Sequence, residues 1–152
     1  MRYAKLVFML LAPAIALMAA DPGVETWKLN PAKSKFKTGT GPREQTITIS
    51  ESGSDLEIVL KGTNAAGAPT SGHFTVPANG GTGKIIEEGP YDAVSGKRLN
   101  ANDRETSFSK GGKVVLTAHG KVSKDGKTMT IATKGTNPAG QMVENTAVYE
   151  KQ

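Results

Sequence analysis

Cysteine is absent from the chain. No disulfide or thiolate metal centre can form, and a cysteine-linked lipid anchor is excluded. Aromatic residues are scarce at 5%, with a single tryptophan, and histidine occurs only at positions 73 and 119. After the first twenty residues there is no long apolar run, and no stretch repeats its apolar positions with a helical period. These absences argue against a membrane-spanning helix and a helical bundle in that part of the chain. No basic cluster is interleaved with aromatic residues either, which argues against a nucleic-acid surface.

The first twenty residues are different. Arg2 and Lys5 precede an apolar stretch that begins at Leu6, is interrupted by Pro13 and ends in small residues before Asp21. That is the pattern of a secretory signal peptide, so residues 1–20 are expected to be removed and residues 21–152 to form one domain. Cleavage after Ala20 leaves Met18 at the third position back, whereas Ala14-Ile15-Ala16 fits the small-x-small rule better but shortens the apolar core. Without Arg2 and Lys5, 17 basic residues face 14 acidic ones, a net charge of +3. The expected location is secreted or periplasmic, without stable membrane insertion once the signal is cleaved. An exported domain with no disulfides depends on closing its sheet and on its apolar core.

Alternation dominates the remainder. The segment 122–137 places two alternating runs on either side of Lys124-Asp125-Gly126-Lys127, and Asp-Gly at such a junction is a strong hairpin signal. A turn at 136–140 leads to a further strand over 142–150. Upstream, strands are expected at 25–29, 45–50, 56–60, 70–76 and 84–86. Two more are expected at 97–103 and 104–110, and another at 113–122. Residues 87–95 read as irregular. Gly80-Gly-Thr-Gly-Lys84 reads as a turn, because Ala78 stands where a phosphate loop needs its first glycine and Ile85 where it needs Ser or Thr. The heptapeptide at 61–67 recurs almost unchanged at 134–140. Either these are equivalent loops at one rim, or two turns that need the same Asn and Gly conformations. The fold class is therefore all-β, an antiparallel up-and-down meander closing into a lipocalin-like barrel of about 8–10 strands.

The segments 25–36, 45–49, 122–130 and 145–151, with the Lys-Gly-Thr-Asn-x-Ala-Gly repeat, together resemble a family of small secreted bacterial lipocalin-like proteins. The resemblance spans essentially all of residues 21–152. It implies a calycin-type barrel but no defined activity. The Gly-x-Trp opening of true lipocalins is here Glu25-Thr26-Trp27, and their Thr-Asp-Tyr motif has at most Tyr91-Asp92. In place of the arginine that covers the tryptophan, the chain offers Lys151.

Candidate chemistry is sparse. His73 and His119 both fall on outward phases with no companion at metal-ligand spacing, and no serine sits in a Gly-x-Ser-x-Gly context. No catalytic residue, metal or cofactor is expected. Arg104 is the notable residue, because it shares a face with Phe108. An inward guanidinium needs a partner, which a polar or anionic ligand in the lumen would provide; alternatively, Arg104 lies near the rim and reaches water. Gln45, in phase with Ile47 and Ile49, and Asn145, in phase with Tyr149, would add hydrogen-bonding groups, although Met142 and Val148 leave the phase of the last strand open. Trp27 is assigned a structural role. The expected function is a non-catalytic small-molecule binder, with the mouth or lumen as the site. A structural or protein-interaction module of the cell envelope is the alternative.

Overall fold

The structure, a computed structural model, describes residues 20–37 and 41–152. The expected signal peptide therefore lies outside the described residues except for Ala20, and residues 38–40 lie outside them as well. Twelve strand segments follow in chain order. They are β1 (Thr26–Leu29), β2 (Lys35–Phe36), β3 (Glu44–Ser52), β4 (Asp55–Thr63), β5 (Pro69–Pro77), β6 (Gly80–Thr82), β7 (Lys84–Ile85), β8 (Ala93–Arg98), β9 (Asp103–Lys110), β10 (Lys113–Val122), β11 (Thr128–Thr136) and β12 (Met142–Lys151). One short 3-10 turn, Pro31–Lys33, accounts for the helical content among the described residues.

All pairings are antiparallel, and the order β6-β8-β9-β10-β11-β12-β1-β3-β4-β5-β7 runs around a nearly closed barrel, with β2 added beside β12. The two ends of this path are consecutive in sequence. Gly80–Thr82 pairs with β8, and two residues later Lys84–Ile85 pairs with β5. Residues 80–85 thus form one stave that changes partner at Gly83. Gly83 donates its N–H to the Val94 carbonyl at 2.9 Å. A Cβ on this residue would lie 2.0 Å from the Thr75 carbonyl oxygen. Only glycine lets the two edges approach here. The Gly80-Gly-Thr-Gly-Lys84 stretch is therefore a strand and not the turn its composition suggests. With it counted as one stave and β2, which lies off the path, set aside, the twelve segments make ten staves, within the eight to ten expected.

A second correction concerns residues 97–103. The strand there is Ala93–Arg98, and Leu99 to Asn102 form a turn. Asn100 builds it: its side-chain oxygen accepts from Asn102 N–H at 2.9 Å, and its amide donates to Asp103 at 2.7 Å. Asn and Asp compete with a strand ladder by offering such local bonds.

The repeated heptapeptides have the same structure. Asn64 and Asn137 each accept a backbone N–H four residues on through the side-chain oxygen, from Ala68 and Gln141 respectively, both at 2.9 Å. The turns are completed by Gly67 (φ 86°) and Gly140 (φ 78°). Because β12 runs in the same direction as β3, both loops lie at one end of the barrel, with the loop 86–92 and the turn 111–112. This end is called the mouth. The opposite end, the floor, carries the turns at 53–54, 99–102 and 123–127, and the start of β1.

The core is built from one face of each strand. Leu56 and Ile58 on β4, Phe74 and Val76 on β5, Val94, Val122, Met129, Ala147 and Tyr149 surround Trp27, the largest fully buried side chain at 0% exposure. Trp27 lies in register with Ile47 and donates its indole N–H to the Gly23 carbonyl at 2.9 Å. Lys151 directs its ammonium to Glu25.

Gly83→Ala is expected to lower unfolding free energy by about 2 kcal/mol or more, the cost of forcing a side chain into packed backbone. Gly89→Ala, whose Cβ meets nothing within 4 Å, should be near neutral. Urea-unfolding midpoints of the two variants check the contrast.

Candidate functional site

The inward faces of the staves enclose a cavity of about 400 Å³ that runs from floor to mouth. Its wall is mostly aliphatic, with Ile47, Leu60, Leu116 and Ile131 among the contributors. Ala118 sits directly between Thr106 on β9 and Thr133 on β11, so one wall offers a small residue flanked by two hydroxyls.

At the mouth, Phe108 forms the centre of an aromatic cluster. Its ring meets Phe74 edge to face at 5.2 Å and Tyr91 at 5.0 Å with a 36° tilt. Burial pushes the Tyr91 hydroxyl above its ordinary pKa. Beside it, Glu87, Glu88 and Pro90 border the opening, and the Ser71 hydroxyl donates to Glu87. His73 and Glu57 pair at 2.7 Å, and His119 lies 3.5 Å from Asp103. No group of three potential metal ligands occurs among the described residues.

Arg104 does point inward, and it lines the cavity near the floor. It is paired within the chain. Its guanidinium donates to the Ala78 carbonyl at 2.6 Å and to the carboxylate of Asp21. Asp21 is 9% exposed and Arg104 20%. The partner is supplied by the segment that leads into β1, folded back beneath the barrel. Asp21 is held in turn by accepting Gly23 N–H at 2.9 Å, and the Gly23 carbonyl is the acceptor of the Trp27 indole.

Of the other expected site residues, Gln45, Phe108 and Tyr149 also line the cavity. The phase of β12 is fixed by burial: Val143, Asn145, Ala147 and Tyr149 face inward, and Met142 is 76% exposed. Tyr149 donates its hydroxyl to Gln45 Oε1 at 2.5 Å, so these two satisfy each other. Burial holds the Tyr149 phenol well above its usual pKa. Asn145 lies across from Thr133 and beside Phe36, and its Oδ1 is buried without a hydrogen-bond partner; the cavity wall runs through Thr133. Sequence reading missed Tyr91, Glu87 and Glu88, which fall in a stretch without periodicity. It also missed the wall residues Leu116 and Ala118, for which the alternation of β10 was a usable signal.

Fold and site together define the class: an all-β antiparallel barrel around a largely apolar internal cavity, with the Arg104–Asp21 ion pair at its floor. In comparison with known proteins, the chain matches no family model and no curated sequence.

Tyr149→Phe should cost about 1 kcal/mol at neutral pH by leaving Gln45 Oε1 without its donor. The phenol has a raised pKa when folded, so its contribution is fully present below the unfolded value of 10.0 and is lost as pH rises from there towards the folded value. Wild type should therefore lose stability above that pH more steeply than Tyr149→Phe. Chemical denaturation across alkaline pH checks the difference in slope.

Proposed function

We propose that the protein is a non-catalytic carrier or receptor for a small, mainly apolar molecule held in the barrel, working outside the cytoplasm in the manner of lipocalin-like proteins. The observation that carries this reading is the cavity of about 400 Å³. Small-molecule sites have volumes of roughly 300–1,000 Å³, apolar walls and a few placed polar groups. Thr106 and Thr133 are such groups. The export pattern of residues 1–20 supports the location. Compared with a structural or protein-interaction module that recruits partners by strand addition, the nearly closed sheet supports the ligand carrier. Both ends of the strand path are occupied by the 80–85 stave, which leaves no long free edge for a partner strand.

Two measurements test the proposal. Native mass spectrometry of the exported protein, compared with its denatured mass, should reveal a bound small molecule. In vitro, the neutral fluorophore N-phenyl-1-naphthylamine should brighten on binding. Ala118→Phe fills the wall between Thr106 and Thr133 and should weaken that binding at least about tenfold, a change of about 1.4 kcal/mol, while unfolding stays cooperative. A bare native mass together with no fluorophore binding would exclude a ligand carrier.

A further inference from the structure

The charges around the cavity are uneven. Its lining contains one guanidinium, Arg104, and three carboxylates, those of Asp21, Glu87 and Glu88. An apolar ligand with a carboxylate head would normally seek the arginine, since a bidentate guanidinium pair is the strongest anchor available to it. That anchor is already occupied. Asp21 takes the guanidinium from within the chain, and the Ala78 carbonyl takes a further donor.

Displacing Asp21 would be difficult for two physical reasons. The carboxylate is tethered and oriented by its own bond from Gly23 N–H, the residue whose carbonyl anchors fully buried Trp27. Such an internal group competes without the entropy cost that a free ligand bears. Breaking the pair would also leave a carboxylate of 9% exposure without its cation, which is strongly unfavourable. A carboxylate headgroup oriented the other way would meet Glu87 and Glu88 at the mouth, where like charges repel.

We infer that Asp21 is a specificity-determining residue: by neutralising Arg104 at the floor it makes the barrel a site for neutral or cationic amphiphiles and excludes fatty carboxylates. The cationic or hydroxyl head lies at the Glu87–Glu88 mouth and the apolar body along the Ile47, Leu116 and Ile131 wall. This inference rests on the reading of the cavity as a ligand site. Either cleavage position considered for the leader, after Ala16 or after Ala20, leaves Asp21 in the mature chain.

The test is displacement of N-phenyl-1-naphthylamine from the exported protein at neutral pH by 1-decanol, decylammonium and decanoate, each below its micellar concentration. Wild type should bind decanol and decylammonium at least about tenfold more tightly than decanoate. Asp21→Asn, which keeps the shape of the side chain but frees the guanidinium, should improve decanoate binding about tenfold. The double variant Asp21→Asn/Arg104→Met should keep decanol binding and reject decanoate, which separates release of the cation from a simple opening of space. Glu87→Gln/Glu88→Gln should weaken decylammonium binding and leave decanol binding unchanged. Equal binding of decanoate and decanol by wild type would overturn the role of Asp21 while leaving the ligand site intact, and needs no variant to fold. Binding of the fluorophore with no displacement by any of the three would overturn the inference as well. Failure of the fluorophore itself to bind would remove the site on which the inference rests.

Discussion

Closure of the sheet through residues 80–85 is the constraint on which the other features depend. A twisted antiparallel sheet that stops short of closure exposes two edges and cannot keep a dry interior. Here β8 and β5 are joined by one short stave, and it can serve both only because its backbone passes within reach of Thr75 and Val94 at a residue without a side chain. The glycine has no role at the cavity wall comparable to that of the aliphatic residues. A Cβ there would also lie 3.0 Å from both Val76 and Val94, so the glycine keeps these two buried valines uncrowded at the seam.

Once the barrel is closed, the balance of interior polar groups becomes decisive. Most inward positions are aliphatic, so a guanidinium among them must be compensated within the protein. Asp21 does this from outside the strand ladder, and the same short segment ties Trp27 to the floor. Floor closure and tryptophan burial are thus one arrangement with two bonds. The Tyr149 to Gln45 bond follows the same logic higher in the barrel, where a donor and an acceptor from different strands satisfy each other and leave the neighbouring aliphatic wall undisturbed.

Much of this was legible in the sequence. Alternation identified β3, β4, β10 and β11 and put Gln45 in phase with Ile47 and Ile49; it tied Arg104 to the face of Phe108 but left a rim position open for it. The partner of Arg104 was not legible, because Asp21 lies 83 residues away in a segment with no periodicity. Long-range pairing of one charged side chain leaves no trace in local pattern. The stave at 80–85 was hidden for a different reason: its glycines signal a turn when read locally, and their purpose is set by two strands distant in sequence. The region 87–95 joins a loop to the start of a strand, so no single period runs through it, and Tyr91 was placed only by its packing on Phe108.

The internal repeat adds a last step. Residues 50–67 and 123–140 align without a gap and are identical at nine positions, well beyond the shared heptapeptide. Both copies form a hairpin turn, a strand and a mouth loop. Both also place a glycine where a Cβ would strike a neighbouring backbone carbonyl, Gly62 at 2.2 Å from Glu44 and Gly135 at 2.1 Å from Val115. Inward, Ile58 and Ile131 still match, but other positions differ. Leu60 corresponds to Thr133, and in the strands that follow, Gly72 corresponds to Asn145, Phe74 to Ala147 and Val76 to Tyr149. Two copies with identical fillings would give a symmetric, evenly packed core. Two of these exchanges, Leu60 for Thr133 and Gly72 for Asn145, put a hydroxyl and an amide in the second copy where the first has an aliphatic side chain or none. A shared scaffold with divergent fillings is what separates the barrel's structural requirement, met by the turns and glycines, from the character of its cavity, set by the inward residues.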